Sequence, residues 1–387
     1  MFEFATATRI IFGAGTCRQL PALAAAFGRH ALVVTGRSTK RAAPILADLE
    51  RHGVAPVRWA VAGEPTMDEV QQGLTVALAA DCELVIAIGG GSAIDTGKAI
   101  AALMTNGGDL LDYVEVIGRG LALTEPPAPF LAVPTTAGTG AEVTRNAVVG
   151  VPAEGVKVSL RSPLMLPRVA LVDPELTHDL PPAVTAHTGL DALAQLIEPY
   201  LSLKANPMTD AFCTDGIPLV ARSLRTAYRN GGDARARTDM ALASLFGGLA
   251  LANAGLGAVH GFAAPIGGRF RAPHGAVCAA LLPHVLRANV DALRARQPSS
   301  ERLARVDRVA QLLTDNPLAT ADDAVTWLQR VCKELHIAPL GACGVTDADV
   351  QELVDQARRA SSMRGNPIDL TDTELAEILT RAISGSY

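Results

Sequence analysis

The chain has 387 residues, of which 49% are hydrophobic and 19% are charged, and its formal net charge at pH 7 is −5. This length is more than one hydrophobic core usually supports, so the sequence predicts two domains. The apolar content argues against intrinsic disorder, and the acidic balance without long basic runs argues against a nucleic-acid-binding protein.

The first half of the sequence alternates short apolar runs with helical patterns. These patterns predict strands over 31–35, 83–88, 130–133 and 169–172, and helices over 39–51 and 92–104. Apolar strands that are buried on both faces and separated by helices are typical of a mainly parallel sheet. We therefore expect an α/β dinucleotide-binding type of domain over residues 1–178.

The second half, which begins after Asp173-Pro174, contains almost no strand-like alternation. Its amphipathic patterns predict helices over 190–203, 238–251, 300–313, 347–357 and 372–382. The last two follow a Thr-Asp pair that is suited to capping a helix. We expect an all-α domain over residues 179–387.

The amino terminus and the cysteines bear on the compartment. Residues 1–4 lack the basic and apolar regions of a signal peptide, and the longest apolar stretch, 242–262, is broken by glycines and polar residues. The six cysteines include no Cys-x-x-Cys pair, which favours reduced thiols. These features predict a cytoplasmic protein without a membrane span.

A glycine-rich turn, Gly89-Gly90-Gly91-Ser92, separates a predicted strand from a predicted helix. Backbone N–H groups in such a turn can approach phosphate oxygens, and the helix N-terminus adds partial positive charge. Ser92 and Asp95 have the spacing of a capping box. The alternative is a strand-to-helix turn without a ligand, and the turn is not the G-x-G-x-x-G fingerprint of an ordinary Rossmann domain.

A second polar segment, 134–142, follows the apolar strand at 130–133 and contains three threonines and several small residues. A loop at the carboxyl end of a parallel strand suits a ligand crevice. A hydroxyl-rich turn that satisfies its own backbone is the alternative. Together with the glycine turn, this segment favours a nucleotide site.

These motifs, taken in order, resemble those of the iron-containing (group III) alcohol dehydrogenase family. The resemblance extends over nearly the whole chain and includes the following segments: Gly89-Gly-Gly-Ser92 with Asp95 and Lys98, Pro134-Thr-Thr-Ala-Gly-Thr-Gly140, Asp173-Pro174, Thr188-Gly-Leu-Asp-Ala-Leu193, Val259-His-Gly261, Pro273-His-Gly275 and Gly365-Asn-Pro367. It implies an NAD(P)-dependent alcohol dehydrogenase or aldehyde reductase, with its active site in the cleft between the two domains. Self-association as a homodimer or a higher homo-oligomer is also implied.

The resemblance also indicates which residues contact the cofactor. They are Gly90, Gly91, Ser92, Asp95, Thr135, Thr136, Thr139, Asn146 and Lys157. At the adenosine end, many NAD-preferring members carry an aspartate where this chain has Gly36, followed by Arg37. Losing that carboxylate removes repulsion of a 2′-phosphate, and Arg37 or Lys40 could pair with it, which favours NADP over NAD. The alternative is that Gly36 only makes a turn and Arg37 is solvated.

The metal site departs from the family pattern. The resemblance implies four metal ligands, which are an Asp, a His four residues later, and two further His fourteen residues apart. Here Asp191, His260 and His274 match, but Gln195 stands at the second position. A Gln carbonyl oxygen is a poorer donor than imidazole for Fe²⁺ or Zn²⁺, so the affinity should drop. Alternatively, the Gln195 amide hydrogen-bonds Asp191 and no metal is bound.

A second departure concerns the proton relay. Family members often carry another His four residues after His260, where this chain has Ala264. The alcohol proton would then leave through water, a cofactor ribose hydroxyl or another side chain.

The leading hypothesis is thus hydride transfer between NAD(P) and a small alcohol or aldehyde, with aldehyde reduction as the direction in vivo. Three alternatives stay open at this point. They are a metal-independent reductase that resembles maleylacetate reductases, a cyclase similar to dehydroquinate synthase, and a nucleotide-binding paralogue without activity.

Overall fold

The computed structural model describes residues 1–38, 40–61, 63–115, 117–270 and 272–386. The chain divides into two compact units. The first, an α/β unit, comprises Ala5–Thr136 and Gly140–Asp179, and the second, a helical unit, comprises Met1–Phe4, Ala137–Thr139 and Leu180–Tyr387. A parallel sheet followed by helices confirms the predicted fold class.

The α/β unit contains a six-stranded parallel sheet in the order β1-β8-β5-β4-β2-β3 and a separate antiparallel hairpin, β6-β7. The strands are β1 (Ile10–Phe12), β2 (His30–Gly36), β3 (Ala55–Val61), β4 (Leu84–Gly89), β5 (Phe130–Pro134), β6 (Asn146–Val151), β7 (Val156–Arg161) and β8 (Val169–Val172). The four strands predicted from sequence correspond to β2, β4, β5 and β8. Every residue of β4, β5 and β8 is buried, which explains their uninterrupted apolar sequence.

Five helices belong to this unit. They are α1 (Leu20–Ala25), α2 (Ala42–Arg51), α3 (Met67–Ala79), α4 (Gly91–Asn106) and α5 (Leu110–Tyr113). The helix predicted over 39–51 is thus shorter at its start, and Thr39 lies outside the described residues. The register of the sheet places Gly89 beside Pro134, so the segments that follow β4 and β5 leave the same edge of the sheet.

The helical unit contains nine α-helices among the residues described. They are α6 (Pro182–Leu201), α7 (Pro207–Arg229), α8 (Ala234–Ala254), α9 (Ala258–Phe270), α10 (His274–Arg296), α11 (Glu301–Thr314), α12 (Ala321–Glu334), α13 (Val350–Arg359) and α14 (Asp372–Ser384). One continuous apolar core packs these helices together. The predicted Thr-Asp cap is present at α14, where Thr371 and Glu374 form a capping box.

The helix α10 has the length and hydropathy of a membrane span, but 78% of its apolar window is buried inside the unit. The helices α8 and α9 pass the same test only as a pair, and they are bent by 98° at their junction. Buried core helices share this composition, so these helices are weak evidence for a membrane span. All six cysteines are free thiols.

Candidate functional site

The glycine turn connects β4 to the start of α4. Gly90 is the N-cap of α4, a helix of 16 residues, and no side chain caps it. A Cβ on Gly90 would lie 3.3 Å from Thr136, and the Thr135 N–H donates to the Gly89 carbonyl at 2.9 Å. The glycine turn and the threonine segment therefore lie side by side, with the free N–H groups of α4 at their centre.

The predicted capping box at Ser92 and Asp95 is wrong. Asp95 is turned into the unit, where its carboxylate accepts a hydrogen bond from Val148 N at 3.1 Å and lies 3.6 Å from Lys98 Nζ. Lys98 is 1% exposed and donates to the Thr144 hydroxyl and the Asn146 carbonyl, each at 2.8 Å. These residues join α4 to the hairpin beneath the glycine turn, because a buried charge is stable only when it is paired.

A third charged residue, Glu142, completes this buried network. It is 2% exposed, and burial raises its pKa to about 7 although the charge of Lys98 acts in the opposite direction. Two acids and one base thus share the interior behind the two loops. The network contributes to the position of the loops and leaves one excess negative charge when all three groups are ionised.

The remaining predicted nucleotide residues lie in different surroundings. Gly36 ends β2, and a Cβ there would meet nothing within 4 Å, while Arg37 is exposed. Lys157 is paired with Glu64 at 3.2 Å. Thr139 belongs to the helical unit rather than to the α/β unit.

Sequence reasoning missed Arg58, which borders Gly36. Its guanidinium donates to the Thr35 hydroxyl at 3.0 Å and to the carbonyls of Gly36 and Arg37 at 3.4 and 3.3 Å. Lys40, by contrast, is paired with Asp179 at 2.7 Å. The end of β2 thus combines open space with two guanidinium groups.

In the helical unit, three helices bring together the predicted ligands Asp191, His260 and His274. Asp191 lies on α6, His260 on α9, and His274 is the first residue of α10. A fourth side chain, Cys278, joins them, and the ligand atoms of all four lie within 4.8 Å of one another. Sequence reasoning missed Cys278, although its position four residues after His274 places it on the same face of α10.

The distances within this cluster are short and unsymmetrical. Nε2 of His260 and of His274 lie 3.4 and 3.6 Å from Asp191 Oδ1. The Cys278 sulfur lies 3.9 Å from His260 Nε2 and 3.6 Å from His274 Nε2. Asp191, His260 and Cys278 are buried, whereas the His274 side chain is 32% exposed. The cluster is therefore accessible from the side of His274.

Two side-chain oxygens on α6 are buried and accept no hydrogen bond of good geometry from any described residue: Asp191 Oδ1, in the cluster, and Gln195 Oε1, which lies against α8. An unsatisfied buried oxygen is costly unless something else supplies positive charge. Asp191 and Gln195, both on α6, share no hydrogen bond, so the alternative in which the Gln195 amide satisfies Asp191 is not seen. The donor set and the unsatisfied Asp191 oxygen fit a divalent cation.

Glu198, two turns after Asp191 on α6, holds His260 in place. Its carboxylate accepts from His260 Nδ1 at 2.6 Å and from Val259 N at 2.7 Å. With the Nδ1 proton held by Glu198, Nε2 is the nitrogen that faces the cluster and would bind a metal ion once it has lost its own proton, which is how a carboxylate prepares a histidine ligand. Glu198 is 6% exposed and is a positioning residue that sequence reasoning did not identify.

Charges in the cluster shift the protonation of its members. Burial acts to raise the pKa of Asp191, but His274 and His260 outweigh burial and lower it, so the carboxylate stays ionised. For His260, burial acts to lower the pKa, while the acidic groups around it, Glu198 and Asp191 among them, outweigh burial and raise the pKa well above its usual value, so that the metal-free ring carries a proton on Nε2 as well. Burial raises the pKa of the Cys278 thiol to about 12.

Two of the sequence motifs position these helices rather than carry chemistry. A Cβ on Gly275 would lie 2.9 Å from the His187 carbonyl, so only glycine permits α10 to start this close to α6. The Asn366 side chain accepts from Ala258 N at 3.2 Å and so fixes the first residue of α9, two residues before His260. Asn366 also exchanges hydrogen bonds with Asn289 at 2.7 and 3.2 Å.

Comparisons with known proteins agree with this architecture. The iron-containing alcohol dehydrogenase pattern matches residues 7–174, and the C-terminal pattern of the Fe-containing alcohol dehydrogenase family matches residues 185–383. The chain is 36% identical to the 1,3-propanediol dehydrogenase of Klebsiella pneumoniae over 367 residues, which is 92% of each protein. It is 35% identical to the lactaldehyde reductase of Escherichia coli (strain K12) over 356 residues, 90% of this chain and 91% of the relative.

Among solved structures, the crystal structure of a 1,3-propanediol oxidoreductase matches with a TM-score of 0.91 and 34% identity, covering 99% of this chain and 100% of the other. The fold and these matches define an oxidoreductase that interconverts alcohols and aldehydes. The chain belongs to the iron-containing alcohol dehydrogenase family. The predicted activity is confirmed at this level, and the cyclase and the inactive paralogue receive no support.

Proposed function

We propose that Asp191, His260 and His274, with Gln195 beside them, bind one divalent metal ion, Fe²⁺ or Zn²⁺, and that a small alcohol or aldehyde is held at this site. The observation that carries the proposal is the buried Asp191 Oδ1, which lies 3.4 and 3.6 Å from two imidazole nitrogens and makes no well-aligned hydrogen bond with either. A metal ion in such a site polarises the substrate C–O bond and lowers the pKa of an alcohol.

The residues of the chain prepare the substrate site. Glu198 fixes the tautomer of His260, and Asp191 brings negative charge that stays ionised inside the apolar core. The partly exposed His274 leaves access for a substrate of modest size. Since Ala264 offers no proton acceptor, the alcohol proton leaves through water or a ribose hydroxyl of the cofactor.

The nucleotide is proposed to lie on the α/β unit, with its pyrophosphate on the glycine turn. Gly90 and Gly91 permit close approach, and the first N–H groups of α4 donate to the phosphate oxygens. Thr135 and Thr136 border the same place. The cofactor, when bound, supplies or accepts the hydride.

We further propose that NADPH is preferred over NADH. Gly36 leaves space at the end of β2, and Arg37 and the anchored Arg58 offer positive charge to a 2′-phosphate. Lys40 contributes less, because Asp179 already pairs with it. The variant Gly36→Asp is expected to lower the ratio of kcat/KM for NADPH to that for NADH by about 10–100-fold, because the new carboxylate repels a 2′-phosphate and competes for the guanidinium groups, an effect comparable to one charge-assisted hydrogen bond.

The control for that variant is Gly232→Asp, a change at a surface glycine of the helical unit that should leave the ratio unchanged. A Gly36→Asp enzyme with the wild-type ratio would show that the 2′-phosphate does not bind at this strand end. Preference for NADH in the wild type would contradict the proposal directly.

The activity is tested by following NADPH oxidation with lactaldehyde and NADP⁺ reduction with 1,3-propanediol, substrates taken from the names of the two relatives. We expect His260→Asn to abolish turnover and the exposed His336→Asn to retain it. Turnover that survives both His260→Asn and a strong chelator would favour the metal-independent alternative.

The same proposal includes self-association and a cytoplasmic location. Six free thiols are consistent with a reducing compartment. Light scattering of the purified chain is expected to give the mass of a dimer or a larger homo-oligomer.

A further inference from the structure

We propose that the thiolate of Cys278 is the fourth protein ligand of the metal site and replaces the histidine that this chain lacks at position 195. The resulting donor set, one carboxylate, two imidazoles and one thiolate, suits Zn²⁺, and a substrate oxygen would add as a fifth ligand from the partly exposed side of His274. This inference rests on the proposed function of the cluster as a metal site.

Four of the six ligand-to-ligand distances in the cluster are close to those of a tetrahedral zinc centre, and all six are within 4.8 Å. Zinc bonds of about 2.0–2.1 Å to nitrogen or oxygen and about 2.3 Å to sulfur give ligand-to-ligand edges of about 3.4 Å (N to O) and about 3.6 Å (N to S). The edges from Asp191 Oδ1 to the two imidazole nitrogens measure 3.4 and 3.6 Å. Those from Cys278 Sγ measure 3.6 and 3.9 Å.

The backbone supports this arrangement without rearrangement. His274 and Cys278 are four residues apart on α10, so both side chains lie on one face of the helix and reach the same point. Cys278 is fully buried and its sulfur contacts both imidazoles of the cluster. Cys278 also belongs to the apolar core of the unit, but its sulfur is directed at the two imidazoles of the cluster.

The charge balance favours the thiolate as well. Asp191 and a Cys278 thiolate together neutralise a divalent ion in a buried place, whereas Gln195 offers a neutral oxygen. The Gln195 amide oxygen lies against α8, 3.6 Å from the point where a Cβ on Gly247 would sit. Thiolate and imidazole donors in tetrahedral geometry are typical of zinc sites, while carboxylate and carbonyl oxygens suit harder ions.

Formation of the metal site is balanced in atoms and in charge. The Cys278 S–H bond breaks, a Zn–S bond forms, and one proton passes to solvent for each ion bound. Oxidation states do not change.

The test is cobalt substitution of the full-length protein. Chelator-treated enzyme is loaded with one equivalent of Co²⁺ and its absorption spectrum is recorded, because a cobalt–thiolate bond gives an intense near-ultraviolet charge-transfer band that oxygen and nitrogen ligands do not give. We expect this band in the wild type and its loss in Cys278→Ser. The Zn²⁺ affinity of Cys278→Ser should fall by more than about 100-fold, beyond the loss typical of an outer-shell partner.

The matched control is Cys213→Ser, a change at another fully buried cysteine of the helical unit, which should keep both the band and the affinity. The double variant Cys278→Ser with Gln195→His restores an Asp and three His, so it should regain zinc affinity without regaining the band. This rescue shows that the loss in Cys278→Ser is not caused by misfolding.

Failure of the Cys278 ligand, of the metal site and of the oxidoreductase activity would give three different results. Cobalt that binds at one ion per chain without a thiolate band would overturn the role of Cys278 and leave the metal site intact. Absence of metal binding together with aldehyde reduction would overturn the metal site and leave the oxidoreductase. Metal binding with the thiolate band but without turnover of NAD(P)H would support Cys278 and contradict the proposed activity.

Discussion

Removing the charge of Glu198 should weaken the metal site without touching a ligand. The Glu198 carboxylate has two acceptor oxygens, and the structure uses one for His260 Nδ1 at 2.6 Å and the other for Val259 N at 2.7 Å. In Glu198→Gln only one oxygen remains. If it serves Val259, the new NH₂ faces His260 Nδ1 and selects the tautomer with the proton on Nε2, which removes the lone pair needed for the metal.

If the amide oxygen serves His260 instead, a buried N–H of Val259 loses its acceptor. An unsatisfied buried group costs about 1–3 kcal/mol. Either outcome is expected to reduce the affinity for Zn²⁺ by about 10–100-fold, the range seen for partners of metal-bound histidines.

The assay is competition for Zn²⁺ against a chromophoric chelator at fixed pH, with folding checked by circular dichroism. Glu334→Gln is the matched control, since Glu334 forms surface ion pairs with Arg225 and Arg330 in the same unit. If folded Glu198→Gln bound Zn²⁺ with an affinity within about twofold of the wild type, the argument from the His260 tautomer would be refuted.

Two further predictions concern positions outside the ligand set. Gly365→Ala would place a Cβ 2.1 Å from the Leu256 carbonyl oxygen, so we expect the free energy of unfolding to fall by about 2–3 kcal/mol. Urea denaturation measures this loss. The control is Gly232→Ala, whose new Cβ meets only ordinary contacts and should leave the free energy of unfolding near that of the wild type. Glu142→Gln should stabilise the protein more at pH 8 than at pH 5. Burial raises the folded pKa of Glu142 from 4.5 to about 7, so its contribution is fully present below pH 4.5 and is lost, by up to about 3 kcal/mol, as the pH rises through 7. An equal effect of Glu142→Gln at both pH values would contradict this assignment.

The strands that could be predicted are those buried on both faces. β4, β5 and β8 read as continuous apolar runs because helices or other elements cover them. β3 was missed because only Val61 of its seven residues is buried and because the strand includes a proline and an arginine, so it shows neither a continuous apolar run nor a regular alternation. β1 has only three residues, too few for a period to show.

In the functional site as well, some residues could be predicted from the sequence and others could not. Asp191, His260 and His274 could be found because they stand in motifs that resemble a family, and the structure brings them together. Cys278 and Glu198 could not be found from sequence, because a single cysteine or glutamate within a helix does not indicate a site until the positions of the neighbouring helices are known. Their spacings, four residues after His274 and seven after Asp191, were the hint available, since both spacings return to the same helix face.

The predicted capping box at Ser92 failed for a physical reason. The spacing of Ser92 and Asp95 suits a cap, but the N-cap is Gly90, which places Ser92 inside the helix, and Asp95 pairs with the buried Lys98. Leaving the buried Lys98 ammonium without a carboxylate would cost more free energy than leaving the helix terminus uncapped, because the N–H groups of the terminus can donate to a ligand or to water.

The central claim is that the Asp191, His260 and His274 cluster holds a metal ion on which aldehyde reduction depends. It is tested most directly by titrating chelator-treated enzyme with Zn²⁺ while NADPH oxidation with lactaldehyde is followed. We predict no turnover without metal and a linear recovery that ends at one ion per chain. Full activity of the metal-free enzyme, or recovery that His260→Asn does not abolish, would contradict the account.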